Sequence, residues 1–143
     1  MQIVFAIGVI VLGYILGSIP FGLLIVKIRT GKDIRDIESG RTGGTNAMRA
    51  AGFWAGIFTA IMDVLKGAVA VWIAQAVMPE NHLVYVLAAI GAIIGHNHSI
   101  FLPEQDEDGK FVRLRGGAGG APTVGGAMGL WAPSVLIIFT LGA

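Results

Sequence analysis

Long stretches without charged side chains constrain this chain more than any other feature of its sequence. Four such stretches contain almost no Asp, Glu, Lys or Arg, and together they make up most of the chain. Only 13% of the residues are charged, whereas a typical soluble domain has about 25%. Because a helix needs roughly 20 apolar residues to cross a bilayer, the sequence predicts an all-α integral membrane protein. We expect four transmembrane helices, at about residues 3–28, 46–78, 83–101 and 122–143, and we expect Pro20 to kink the first of them near its cytoplasmic end.

The basic residues lie almost entirely in two segments between these helices. Of the ten Lys and Arg residues, six lie in residues 27–49 and three in residues 110–115. Cytoplasmic loops of membrane proteins are enriched in Lys and Arg. We therefore expect the loops at about residues 29–45 and 102–121 to face the cytoplasm, and the N-terminus to face outside. Neither loop is long enough to bury its own core, so residues 1–143 are expected to form a single membrane domain.

The first loop continues into a helix through a glycine-rich segment, residues 39–49. A helix start of this kind presents free N–H groups and the positive end of the helix dipole to an anion. Arg49 lies about one turn into the helix and has the planar guanidinium that suits phosphate. We expect the helix to begin near Thr45 or Asn46, which are both good N-caps. The segment indicates an anion site, and a flexible loop with an ordinary cap is the alternative interpretation.

Asp63 and Lys66 are the two charged residues of the second apolar stretch. They lie one helical turn apart and therefore share a face. Ionisable groups inside a membrane usually face a polar cavity or a partner. The pair indicates support of a functional site, and a neutralising pair that only shapes the packing is the alternative.

Three polar residues, His96, Asn97 and His98, lie at the expected cytoplasmic end of the third helix. A histidine in this position could bind phosphate or transfer a proton. Two histidines at i and i+2 point to different faces of a helix, so they are a poor metal pair. Polar residues that cap a helix end are the alternative interpretation.

A second glycine-rich segment, residues 116–120, precedes the fourth helix and follows Arg113 and Arg115. It repeats the pattern of the first loop, with basic residues, glycines and then a helix start. Two such segments on the same side of one membrane protein predict a cytoplasmic pocket for a phosphorylated ligand.

The order of these motifs resembles the acyl-phosphate-dependent glycerol-3-phosphate acyltransferases of bacteria. The resemblance covers nearly the whole chain, and each matching segment stands in the expected order. The matching segments are residues 17–22, 31–35, 39–49, 63–67, 95–101 and 116–119.

The resemblance implies a seven-helix fold in the bacterial inner membrane, with its active site on the cytoplasmic side. It implies transfer of an acyl group from acyl phosphate to the 1-hydroxyl of sn-glycerol 3-phosphate, which gives lysophosphatidic acid for phospholipid synthesis. The two substrates and the lipid bilayer are the expected partners, and no metal, nucleotide cofactor or nucleic acid is expected. Ser39 and His96 are the expected catalytic residues. The expected substrate-binding residues are Arg49, Thr45, Asn46, Gly43, Gly44, Asp63, Lys66, Arg115, Gly117 and Gly119.

The chain departs from the family pattern at several positions. Family members usually have asparagine in place of Arg41, alanine in place of Gly44 and lysine in place of Ala118. An insertion at about residues 104–113 lengthens the second loop. The family's last three helices and its third motif have no counterpart in these 143 residues, so the chain is expected to be either a fragment or a natively short, divergent member. The basic residues that could replace the missing lysine are Lys110, Arg113 and Arg115.

Two other functions stay open on the sequence. A divergent relative could bind phospholipid precursors without catalysis, and the change at Ala118 favours this alternative. A small transporter of an organic anion could use Asp63 and Lys66 as part of its pathway. Four helices without an inverted repeat are less typical of a transporter.

Overall fold

The computed structural model describes residues 1–141, which fold mostly as α-helices. A short 3-10 turn and a two-stranded hairpin lie in the segments between helices. Helices α1 to α7 span Gln2–Ser18, Phe21–Thr30, Gly44–Ala51, Phe53–Val77, His82–Asn97, Gly120–Leu130 and Ser134–Leu141; the 3-10 turn spans Ile34–Asp36, and strands β1 and β2 span Pro103–Gln105 and Phe111–Leu114.

The first predicted helix is divided in two at Ile19 and Pro20. Proline has no N–H to donate and its ring clashes with the preceding turn, so a helix commonly breaks there. The Ile19 carbonyl instead accepts a hydrogen bond from Nζ of Lys66, at 3.1 Å. Helices α1 and α2 together form one apolar segment of 29 residues. The predicted kink is therefore a complete break, which a cation from α4 stabilises.

The second predicted helix is also divided, into a short α3 and a long α4. The break lies at Gly52, whose φ of 91° is a conformation that L side chains rarely adopt. Helix α3 begins at Gly44 with Gly43 as its N-cap residue, so the predicted caps Thr45 and Asn46 lie inside the first turn.

Among the described residues, two of the four predicted spans are helical segments long and apolar enough to cross a membrane. They are α1 with α2, and α4 with its 25 residues. Helix α5 has 16 residues and ends at Asn97 instead of residue 101. The fourth predicted helix is interrupted at Trp131, between α6 and α7. Its last two predicted residues, 142 and 143, lie outside the described residues.

Close backbone contacts through glycines hold the main helices together. Helix α1 packs against α5, and a Cβ at Gly17 would overlap the Ala92 carbonyl oxygen. Helix α6 packs against α4, and a Cβ at Gly125 would overlap the Val64 carbonyl oxygen. Such small residues let helix backbones approach closely, as in membrane proteins. Many large apolar side chains on the outer helix faces are exposed, which is the surface that a lipid-embedded bundle presents.

The predicted loop at residues 102–121 contains an antiparallel hairpin, so the all-α prediction is incomplete. Glu104 lies opposite Arg113, and their side chains form an exposed ion pair. The hydrogen bond from Arg113 holds the pKa of the Glu104 carboxyl below its ordinary value. In the turn, the Lys110 N–H donates to Oδ1 of Asp106 at 2.8 Å. Two strands of three and four residues are too short to produce a recognisable period-two pattern in the sequence.

Candidate active site

A cavity of about 760 Å³ opens where the two glycine-rich segments meet the ends of α3, α4, α5 and α6. This volume lies within the range of small-molecule sites in proteins. Nine of the predicted site residues line the cavity, namely Ser39, Gly43, Gly44, Thr45, Asn46, Arg49, Asp63, His96 and Gly119.

The first glycine-rich segment is organised by the buried side chain of Asn46. Its Nδ2 lies 3.1 Å, 3.0 Å and 2.9 Å from the carbonyl oxygens of Ile34, Ile37 and Arg41. The donors of this amide therefore hold the loop against α3 and are not free for a ligand. Its Oδ1 is buried and has no hydrogen-bond partner among the described residues. Any contact of Asn46 with substrate would have to use that acceptor.

Gly44 needs its lack of a side chain because α3 and α4 cross closely at this point. A Cβ on Gly44 would lie 2.9 Å from the Gly56 carbonyl oxygen and 3.1 Å from the Ala60 Cβ. The alanine that the family pattern expects at this position would therefore require a small shift of α3. Gly56 and Ala60 both line the cavity, so the close crossing shapes one of its walls.

Asp63, Lys66 and His96 form a buried polar group at the inner end of the cavity. Oδ1 of Asp63 lies 2.8 Å from Nζ of Lys66 and 3.5 Å from Nδ1 of His96. Asp63 and His96 line the cavity, whereas Lys66 lies outside the lining and directs its ammonium to Asp63 and to the Ile19 carbonyl. The sequence correctly placed Asp63 and Lys66 on one face of a helix, and it did not show that the Lys66 ammonium already has two partners.

The second glycine-rich segment packs directly on His96. The Gly117 N–H donates to the His96 carbonyl at 2.8 Å, and a Cβ on Gly117 would overlap the imidazole ring at Nε2. Gly119 has a φ of 86° and is the N-cap residue of α6. Ala118, Gly119 and the first residue of α6 line the cavity, whereas Gly117 lies behind them against the histidine.

Arg115 lies outside the cavity lining and connects the two loops. One of its Nη atoms lies 3.3 Å from the Gly40 carbonyl and 3.4 Å from the Arg35 carbonyl. The other lies 3.5 Å from Oε1 of Glu104 in the hairpin. The three basic residues that could have replaced the expected lysine at Ala118, namely Lys110, Arg113 and Arg115, are all absent from the described lining of the cavity.

The lining also includes residues that the sequence analysis did not assign to the site. Arg41 is the charged member of this group, and it appeared in the sequence only as a departure from the family pattern. Ile57 and Ala60 lie within two turns before Asp63 on α4, so the helical period counted back from that carboxylate could have found them. The complete set is Arg41, Met48, Gly56, Ile57, Ala60, Ala118, Gly120 and Ala121.

The first loop carries a further ion pair, outside the cavity, that stiffens its 3-10 turn. The Asp33 carboxylate accepts from the backbone N–H of Arg35 at 2.9 Å and pairs with the Arg35 guanidinium at 2.7 Å. These hydrogen bonds from Arg35 hold the pKa of Asp33 below its ordinary value of 3.8. In the described part of the chain, no group of three His, Cys, Asp or Glu side chains is arranged to hold a metal ion.

The glycerol-3-phosphate acyltransferase family model matches residues 7–143. A glycerol-3-phosphate acyltransferase of Symbiobacterium thermophilum is 40% identical over 138 residues, which is 96% of this chain and 62% of that protein. The Thermus thermophilus protein of the same name is 36% identical over 137 residues, or 96% of this chain and 63% of that protein. The chain thus spans less than two thirds of the length of these relatives.

Two solved structures share the fold, and both are of PlsY, an integral membrane glycerol 3-phosphate acyltransferase. The glycerol 3-phosphate form superposes with a TM-score of 0.80 at 29% identity and covers 96% of this chain and 64% of that one. The lysophosphatidic acid form gives 0.76 at 27% identity, with 94% and 61% covered. The resemblance inferred from the ordered motifs is confirmed, and the chain belongs to the glycerol-3-phosphate acyltransferase family.

Proposed function

We propose that this chain takes part in the transfer of an acyl group from acyl phosphate to the 1-hydroxyl of sn-glycerol 3-phosphate, which yields lysophosphatidic acid for phospholipid synthesis. One observation carries the proposal. A single cavity of about 760 Å³ combines two glycine-rich helix starts, Ser39 and Arg49. Helix starts and arginine are both suited to phosphate, and this reaction brings two phosphate groups together. The names of the relatives and the two ligand forms of the solved structures agree with that chemistry.

The reaction requires positioning more than a dedicated nucleophile. The substrate hydroxyl attacks the carbonyl carbon of acyl phosphate, a new ester C–O bond forms, and the carbonyl–phosphate bond breaks to release inorganic phosphate. Holding both anions in one site makes the attack effectively unimolecular. Arg49 would hold the phosphate of glycerol 3-phosphate, and the N–H groups at the start of α3 or α6 would stabilise the oxyanion.

The proton of the attacking hydroxyl would pass to a phosphate oxygen of the substrates. The alternative acceptor is His96, which is buried with Nδ1 toward Asp63 and Nε2 against Gly117. That placement favours a role for His96 in supporting the loop. A His96→Gln variant should therefore have a lower kcat, but the dependence of kcat on pH should be the same as in the wild type. A pH–rate profile whose inflection disappears in this variant would make His96 the base.

We also propose that the chain spans the bacterial inner membrane four times, with its N-terminus outside and the cavity facing the cytoplasm. The basic loops on one side support this orientation. Because the chain has no cysteine, single cysteines can report the topology. An impermeant maleimide should label Asn81→Cys in intact cells, and should label Asp108→Cys only after the membrane is opened.

The function is tested by acyl transfer with purified protein in detergent, palmitoyl phosphate and radiolabelled glycerol 3-phosphate. The assay is run on the chain alone and on the chain co-expressed with the part of the Symbiobacterium relative that it does not span. We expect labelled lysophosphatidic acid in at least one of the two preparations. Binding of both substrates without product in either preparation would make the chain a phospholipid-precursor binder. Flux of glycerol 3-phosphate into proteoliposomes without acylation would make it a transporter.

A further inference from the structure

We infer that Arg41 binds a second phosphate group in the cavity, separate from the one proposed at Arg49. The inference rests on the proposed function, because it assigns one guanidinium to each of the two phosphate-bearing substrates. It concerns only the residue that binds a phosphate group, and not the transfer of the acyl group.

Two arginines of the cavity lining have no carboxylate partner among the described residues. Arg41 and Arg49 both line the cavity, and within residues 1–141 no carboxylate lies within 4.0 Å of either guanidinium. The carboxylate that also lines the cavity, Asp63, is paired with Lys66 at 2.8 Å. The lining therefore includes two exposed arginines whose charge a ligand or solvent must balance, and each guanidinium can form a forked pair of hydrogen bonds with a phosphate.

Hydrogen bonds hold the backbone at Arg41 from two sides. Its carbonyl accepts from Nδ2 of Asn46 at 2.9 Å, and the N–H of the next residue, Thr42, donates to the Gly116 carbonyl at 3.3 Å. Thr42 and Asn46 are both buried. Binding through Arg41 would therefore order only its own side chain, because the main chain that carries it is already held.

The two arginines lie in different parts of the fold. Arg49 reaches the cavity from the last turn of α3, whereas Arg41 lies where the first loop meets the segment that begins α6. Ala118 and Gly119 from that segment line the cavity without adding a charge. The two arginines of the lining thus belong to different elements. One forked guanidinium cannot make bidentate contacts to two phosphates at once, so each arginine serves one of them.

The test compares four variants of the purified protein, Arg41→Gln, Arg41→Lys, Arg49→Gln and Arg29→Gln, in the preparation that is active or, if neither is active, in the chain alone. Arg41→Gln and Arg49→Gln each remove one guanidinium, and Arg29→Gln is the matched control, because Arg29 is an exposed arginine at the end of α2 outside the cavity lining. The apparent KM is measured separately for glycerol 3-phosphate and for palmitoyl phosphate. Binding of each ligand alone is measured by calorimetry, which needs no turnover.

We expect Arg41→Gln to raise the KM and Kd of one ligand roughly ten- to hundredfold, and Arg49→Gln to raise those of the other. Arg29→Gln should change neither. Arg41→Lys keeps the charge without the fork and should recover part of the loss. The ligand that responds to Arg41→Gln identifies which phosphate the residue binds.

Two results would overturn the inference: unchanged binding of both ligands by Arg41→Gln, or weakening of the same ligand by Arg41→Gln and by Arg49→Gln. The proposed function can fail separately. A protein that forms no lysophosphatidic acid, but in which the two variants each weaken a different ligand, refutes the function and upholds the role of Arg41.

Discussion

Replacing Lys66 with methionine separates a structural role from the substrate-binding role that the sequence suggested. Lys66 is 5% exposed, and its ammonium contacts Asp63 at 2.8 Å and the Ile19 carbonyl at 3.1 Å. Methionine keeps most of the length of the side chain and removes both contacts. Asp63, at 1% exposed, would then be a buried carboxylate without its cation, and the break between α1 and α2 would lose a donor.

The expected magnitude follows from that burial. Removing one partner of a buried ion pair typically costs about 3–5 kcal/mol, because the other charge is left unpaired. For a chain of this size, each kcal/mol lowers the melting temperature by about 2–4 °C, so Lys66→Met should lower it by about 6–20 °C. Asp63→Asn should destabilise the protein less, because the Lys66 ammonium keeps its hydrogen bond to the Ile19 carbonyl. The double variant, Asp63→Asn with Lys66→Met, should regain much of the loss because no unpaired charge remains.

The assay is the apparent melting temperature in detergent, at one scan rate, from the fluorescence of the three tryptophans. The apparent Kd for glycerol 3-phosphate is measured on the same samples. An unchanged melting temperature in Lys66→Met would refute the structural role. A large rise in Kd together with that unchanged temperature would show that the ammonium binds substrate, as the sequence analysis expected. A double variant as unstable as Lys66→Met would show that the carboxylate is not the origin of the loss.

Three further predictions concern the loops. Arg115→Met should lower the melting temperature by a few degrees, because it loses hydrogen bonds worth about 1 kcal/mol, and it should change the KM for glycerol 3-phosphate little. A rise in that KM without a loss of stability would show instead that Arg115 contacts the substrate. Gly117→Ala should destabilise the protein by about 1–3 kcal/mol, because the added Cβ would overlap the buried His96 ring. Gly8→Ala is the control, since the space around Gly8 is open and its stability should not fall. Equal melting temperatures of the two variants would contradict the close contact between Gly117 and His96. Hydrogen bonds from Arg35 hold the pKa of Asp33 below its ordinary value of 3.8, so their stabilisation is present at neutral pH and is lost as the pH falls through that lowered pKa. The difference in melting temperature between wild type and Asp33→Asn should therefore be largest at neutral pH and shrink as the solution becomes strongly acid.

Most of the residues that the sequence singled out line one cavity, whereas the helices begin and end at other residues than predicted. Long apolar stretches locate helical segments, but they do not show where a stretch is interrupted. The interruption at Gly52 depends on its positive φ, and glycine elsewhere in the same helix, at Gly56 and Gly67, causes no break. An interruption at Pro20 could be predicted, as a kink, because proline has no N–H to donate within a helix and its ring clashes with the preceding turn. The hairpin was missed because its strands are too short for periodicity to register.

The assignment of donors was the least predictable part of the site. A residue type shows what a side chain can bind, and only the fold shows what it already binds. Asn46, Lys66 and Arg115 were all expected to bind substrate, and all three direct their donors to carbonyl oxygens of the protein. These carbonyls lie in the first loop, its 3-10 turn or the break between α1 and α2, where a carbonyl oxygen can accept a side-chain donor outside the regular pattern of an α-helix.

The arginines in and beside the two loops differ in how well they can bind a phosphate. An arginine whose charge is matched by a nearby carboxylate, or whose fork is occupied by carbonyls, gains less from an added phosphate than one that faces only solvent. Arg35 and Arg113 are held by carboxylates beside them, and Arg115 is held by carbonyls and Glu104. Arg41 and Arg49 line the cavity without such partners among the described residues. The loops therefore use part of their positive charge to fix their own backbone, and among the arginines that line the cavity, Arg41 and Arg49, neither is used in this way.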